Sequence, residues 1–165
     1  MTFASFSFER LAEFNVWADH AVMALVDDLS EDDYYRDLGS TIGSVHIKCA
    51  HIAGVSKFFV HVLDDSLETP PKFPDLSGLT RTDLLSQWKE LNVKLKDLIQ
   101  QKQGRHSVTL LGGIQAALDL EHIHFDAIDH ASYHRGQIML CLRLLGKKTA
   151  NTDYLMWWYR NYKQE

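Results

Sequence analysis

The chain has 165 residues, 45% hydrophobic and 24% charged, with a net charge of −5 when its histidines are neutral. That length suits a single domain, residues 1–165, with a core of its own, and the composition excludes a disordered chain. The acidic balance argues against nucleic acid as a partner, and no apolar run approaches the roughly 20 residues of a membrane span, so a membrane is not expected as a partner either.

The N-terminus has no basic start followed by a clean apolar stretch, because Glu9, Arg10 and Glu13 interrupt it. It does not read as a signal peptide, and the cytoplasm is the expected location. Leu11, Ala18, Val22, Leu25 and Leu29 recur at spacings of three, four and seven, which predicts a first helix from Ser7 to Leu29. The segment LSEDD then reads as a stop and a capping turn, and RDLGSTIGS as a loop that caps the next helix. A second helix is predicted from Ile42 to Leu63, with Val45, Cys49, Ile52, Ala53, Phe59 and Val60 on its apolar side. The linker DDSLETPPKFPDLSGL holds all three prolines and cannot be regular helix.

A third helix is predicted from Thr80, capped with Asp83 three residues on, to Gln101, carrying Leu84, Leu85, Trp88, Leu91, Leu95 and Leu98. QGRHSVTLLGG breaks the pattern, with SVTLL as a short strand or an irregular crossing. A fourth helix runs from Leu118 to Gly146, whose glycine suits a C-terminal cap. The aromatic tail TDYLMWWYRNYK adds a turn or two. Four long helices point to an all-α four-helix bundle, and the long linker to a crossover instead of a simple up-down meander. Cys49 and Cys141 lie in apolar helical surroundings and read as two buried free thiols. Trp17, Trp88, Trp157 and Trp158 read as core and packing edge, and an exposed WWY tail would suit a dimer contact.

Nine histidines are many for this length. At that abundance about half of one pair spaced four apart arises by chance, so His130 and His134 in HASYH carry little alone. Their spacing nonetheless puts both side chains on one helix face, close enough to share an ion. A third ligand has to come from a facing helix, and the second helix offers His46, His51 and His61. His51 lies along that helix's apolar side, whereas His61 is turned well away from it. Three histidines with an open position form the arrangement of a catalytic zinc site, although imidazole suits nickel, iron and copper as well. The spacing alone leaves a metal site and ordinary hydrogen-bonded histidines both open.

Several segments together resemble a known family. FNVWADH is similar to a YNxWAN-type segment, GSTIGSVHIKCAHI to GSFxGSIxxTLxHI, HASYHRGQI to the HxxxHRGQ signature, and LRLLGKKTANTDYLMWW to LRxLGxxPPxTDLIxW. In that order they resemble the DinB-like family of four-helix-bundle proteins, described as metal-dependent hydrolases and distinct from the DNA polymerase that shares the name. The resemblance implies a DinB-like bundle with a long crossover linker, a short C-terminal helical segment, and metal ligands at His51, His130 and His134. The chain departs from the family where an acidic residue often follows the first ligand, here Val55 or Ser56, and in KKTAN before the TD pair. Asp126 stands where the family often has another polar residue, and reads either as a partner for a ligand imidazole or as a solvated carboxylate. Arg135 and Gln137 face away from His134 and are read as interhelical or subunit contacts. Tyr133 is read as lining the pocket or packing, with packing the favoured use.

Family members include transferases that use low-molecular-weight thiols. The resemblance therefore implies a divalent transition metal, zinc or nickel, a low-molecular-weight thiol as a second cofactor, a small-molecule substrate, and a homodimer. The expected activity is S-transfer if a thiol fills the open position and hydrolysis if water does. No catalytic side chain is singled out. The alternative is a non-catalytic, stress-linked metal-binding protein with a partner surface.

Overall fold

The computed structural model describes residues 6–64 and 73–162. The elements are α1 (Phe8–Asp27), α2 (Glu31–Tyr35), α3 (Val45–Leu63), α4 (Arg81–Gln101), β1 (Arg105–Thr109), β2 (Gln115–Asp119), α5 (Leu120–Leu144) and α6 (Tyr154–Tyr162). Three of the four long helices start where a hydroxyl side chain accepts an otherwise free backbone N–H. Ser7 takes that of Arg10 at 3.3 Å, Ser44 that of Ile47 at 3.3 Å, and Thr80 that of Asp83 at 3.2 Å. The Thr80 hydroxyl donates in turn to the Asp83 carboxylate at 2.7 Å.

α5 has no such side-chain cap, because it grows directly out of β2, with the Leu120 N–H on the Gly104 carbonyl at 2.9 Å. It ends in a Schellman turn: the N–H of Gly146 returns to Arg143 O and that of Lys147 to Leu142 O, with Gly146 at φ 69°.

The predicted elements are found, with three shifts. LSEDD is more than a turn: Ser30 caps the one-turn helix α2. The second predicted helix starts at Val45 and not Ile42, since residues 39–43 close a turn through the Gly39 carbonyl. SVTLL belongs to an antiparallel hairpin in which Arg105 pairs with Asp119 and Thr109 with Gln115. Leu118 and Asp119, expected in helix, therefore pair with His106 and Arg105 instead. In the long linker, residues 65–72, with two of its prolines, lie outside the described residues.

Helices α1 and α3 sit on one diagonal of the bundle, and α4 and α5 on the other. One apolar layer brings Val22 and Val26 of α1 together with Cys49 and Ile52 of α3, Leu84 and Trp88 of α4, and Ile138 and Leu142 of α5. A second layer joins Ala12, Phe59 and Leu63, Leu95 and Ile99, and Ile123 and Ala127. The order of these residues along each helix makes α3 and α4 parallel to each other and antiparallel to α1 and α5. Parallel neighbours need a connection that travels the length of the bundle, which is what the proline-rich linker supplies. Trp88 is the largest side chain sealed in the core. Trp157 packs with Phe14 and Ala18 in a third cluster, Trp17 and Trp158 are half-buried at its edge, and Leu155, Met156 and Tyr159 of α6 are exposed. Cys49 and Cys141 are free and buried, and burial pushes both thiols up. No helix among the described residues is long and apolar enough to cross a membrane.

Candidate metal centre

α3 and α5 are antiparallel neighbours, and their facing sides bring His51 opposite His130 and His134. The Nε2 atoms converge: His134 lies 2.8 Å from His130 and 3.1 Å from His51, nitrogen to nitrogen. One ligand atom from each of the three falls within 4.8 Å of the others, and no fourth His, Cys, Asp or Glu joins them among the described residues. His134 is buried, while His51 and His130 are partly open to solvent. Burial pushes His134 down to about 4, against the hydrogen bond it donates to Gln137 and with help from the neighbouring histidines and Lys48. His51 is lowered too, first by burial and then by His130 and Lys48. Both imidazoles are therefore neutral at pH 7, the state in which they offer a lone pair.

Gln137 was expected to serve a contact elsewhere, and the structure corrects this. Its Oε1 accepts the Nδ1–H of His134 at 3.0 Å, which leaves Nε2 as the bare nitrogen turned to the cluster. One turn of helix brings it there, so its spacing of three from His134 is the signal that could have found it. Of the two readings of Tyr133, core packing is the one not found: it is 65% exposed and sets its ring edge against His134, centroids 5.0 Å apart. Asp126 is exposed, in keeping with a solvated carboxylate. His61 stands about 15 Å further along α3 than His51 and outside the cluster. His46 is structural: its Nε2–H donates to the Ser77 carbonyl at 2.8 Å, and its Nδ1 meets the Tyr34 hydroxyl at 3.1 Å.

Arg135 does make an interhelical contact. It is buried, and its Nη1 donates to Asp19 at 2.7 Å and to Asn15 at 2.6 Å, both on α1. Asn92 of α4 donates to the other Asp19 oxygen at 2.7 Å, and Ser56 of α3 reaches the Asn92 carbonyl at 3.4 Å. Burial pushes the Asp19 carboxyl up, and the guanidinium opposes it. The guanidinium carbon also lies 5.6 Å from the Phe14 ring centroid. This chain of contacts ties the helix bearing His130 and His134 to the other three. Asn15 and Asp19 went unremarked in the sequence, although Ala12, Asn15, Asp19, Val22 and Val26 keep a 3-4-3-4 spacing that puts two polar residues inside a buried stripe.

On the α3 side of the cluster, His51 also lines a cleft of ≈ 280 Å³ whose walls are mainly Ile47, Ala50, Phe73, Pro74 and Leu76. Phe73 stacks on the His51 ring, centroids 5.4 Å apart at 29°. Asp75 also lines the cleft, and the Ser77 hydroxyl and N–H hold its carboxyl below the usual range. The walls are mainly apolar, and the polar groups are few: His51 on one side, Asp75 and Ser77 on the other.

Comparison with known proteins agrees with this architecture. The DinB family profile matches residues 2–164. Protein DinB of Bacillus subtilis (strain 168) is 22% identical over 157 residues, covering 88% of this chain and 90% of the relative. The crystal structure of a DinB-like protein from Bacillus cereus ATCC 10987 superposes with a TM-score of 0.63 at 11% identity, over 86% of this chain and 94% of that one. Matched almost end to end by the family profile and sharing the fold, the chain belongs to the DinB family.

Proposed function

We propose that the protein is a metal-dependent enzyme that acts on a small molecule at an open three-histidine centre. One observation carries this reading. With its proton on Nδ1, His134 presents a single lone pair to two imidazole nitrogens at 2.8 and 3.1 Å. One lone pair serves one N–H donor well, whereas a cation at the common focus serves all three nitrogens. His51, His130 and His134 would hold the ion, and the all-nitrogen donor set suits zinc or nickel. When bound, such an ion supplies the Lewis acidity that makes a water or a low-molecular-weight thiol nucleophilic at neutral pH. The reaction class is accordingly S-transfer or hydrolysis.

The chain's own residues do the rest. Gln137 fixes the His134 tautomer, the Phe73 ring holds one face of His51, and the apolar cleft receives the body of the substrate. The buried Arg135–Asp19 pair keeps the helix of His130 and His134 in register. The reading includes a homodimer, supported by the outward apolar residues Leu155, Met156 and Tyr159 of α6. Light scattering at micromolar concentration should return twice the chain mass, and a monomer would remove that part of the reading.

Elemental analysis of the purified, tag-free protein tests the site. About one zinc or nickel ion per chain is expected, and it should be lost in the His51→Ala/His130→Ala/His134→Ala variant while helicity is kept. An ion-free wild-type protein after reconstitution, or full occupancy in the variant, overturns the proposal. A loaded protein that turns over neither thiol-transfer nor hydrolysis substrates would leave a metal-binding protein without catalysis.

A further inference from the structure

Gly54 lies one turn beyond His51 on α3, and the crossover linker runs directly over it. A Cβ built at Gly54 would meet the Pro74 carbonyl oxygen at 2.8 Å and the Phe73 ring at 3.6 Å. The first distance is shorter than real Cβ contacts allow, and the obstacle is backbone, so any side chain at 54 must push the linker away. The linker is poorly able to absorb that push locally. Pro74 has its φ fixed by its ring, and a residue before proline is confined to extended conformations, which restrains Phe73 as well. Further on, the Ser77 carbonyl is tied to His46 of the same helix at 2.8 Å. The ring that this arrangement delivers is the one stacked on His51.

We propose that Gly54 and the Phe73–Pro74 pair form a positioning device: the glycine seats the linker, and the seated linker clamps the His51 imidazole and builds one wall of the cleft. Gly54 touches neither the cluster nor the cleft's open space, and it acts only through Phe73. The device serves the metal reading, but the clamp itself is a property of the metal-free protein and is tested there first. Ring currents from a stacked Phe73 shift the His51 ring protons upfield. By NMR of the metal-free protein, that shift should be present in the wild type, kept in Phe73→Tyr, and lost in Phe73→Leu and in Gly54→Ala. Gly78→Ala, in the same linker with nothing within 4 Å of its Cβ position, should leave it unchanged.

Alanine otherwise favours helix over glycine, so a purely structural role predicts no loss at residue 54 beyond stability. In a second measurement, cobalt(II) affinity should fall about tenfold in Gly54→Ala and Phe73→Leu, the scale seen when a group orienting a metal ligand is removed. Gly54→Ala with the upfield shift intact overturns the device, whatever the cobalt result. If wild-type protein takes up no cobalt, the metal reading fails while the NMR comparison still decides the clamp.

Discussion

Gln137 accepts the Nδ1–H of His134 at 3.0 Å, and this contact decides which nitrogen is left for an ion. Gln137→Leu frees the ring to rotate and to take the other tautomer, so affinity for zinc should drop about 10–100-fold in competition with a chelating dye. Gln137→Glu, which keeps an acceptor at that place, should retain affinity, and equal affinity in all three proteins would show the contact to be idle. A second histidine predicts pH dependence. His124 is buried, packs edge-on to Phe8 with centroids 5.9 Å apart, and has no hydrogen-bond partner at Nε2. Burial lowers its pKa below 6.5, against the attraction of Glu121 and Glu9. A depressed folded-state pKa means that the unfolded chain binds the proton more readily. The neutral ring's contribution is thus complete above about pH 6.5 and is lost as pH falls through the lowered folded value. The urea midpoint of the metal-free protein should fall between pH 7.5 and 5.0, and fall less in His124→Leu. Glu9, Asp33 and Asp75 are also lowered, but from ordinary values already below that window, and His20, His51 and His134 are unchanged in the variant, so the difference reads His124 together with its attraction to Glu9 and Glu121.

Between elements, the buried Arg135–Asp19 pair has the largest predicted effect. Removing one member leaves an uncompensated charge away from water, which costs about 3–5 kcal/mol, whereas removing both costs less because no charge is stranded. Asp19→Leu should therefore destabilise the bundle by roughly that amount in urea unfolding, and Asp19→Leu/Arg135→Met by less than the sum of the two single changes. Additive losses would mean that the two residues act separately. The same network shows why some features were legible in the sequence and others were not. Thr80 and Asp83 close their cap within one turn, and Gly146 satisfies the end of α5 from the next residues, so both were readable locally. His130 and His134 were readable as a pair for the same reason, while His51 came from the family resemblance as much as from its apolar side. The start of α5 was not readable: Leu118 and Asp119 fit a helix locally, and only pairing with His106 and Arg105 draws them into a strand. Gly54 and Phe73 escaped notice because their meaning depends on where the linker crosses α3, a tertiary fact that no periodicity encodes.

For the whole molecule, an ion at the cluster would act as a cross-link between distant parts of the chain. His51 and His134 are 83 residues apart, and they come from two helices that the long linker, α4 and the hairpin separate. Anything that binds only the folded arrangement stabilises it by mass action, by about 2.7 kcal/mol when its free concentration is a hundred times its dissociation constant. In a domain of this size each kcal/mol moves the melting temperature by about 2–4 °C, so saturating zinc should raise Tm by roughly 5–11 °C. The apoprotein should nonetheless stay folded. Both apolar layers and the Arg135–Asp19 network are built from contacts that none of the three histidines supplies, and they do not need the ion to pack. Calorimetry with and without a chelator separates the cases. A shift of that size, reversed by the chelator and absent in His134→Ala, fits an ion held for chemistry on a bundle that stands without it. Unfolding on chelation would instead make the ion a structural strut, as in small metal-dependent domains. An unchanged Tm at saturating zinc, nickel and cobalt would mean that the three nitrogens converge without a cation, and the proposed activity would lose its basis.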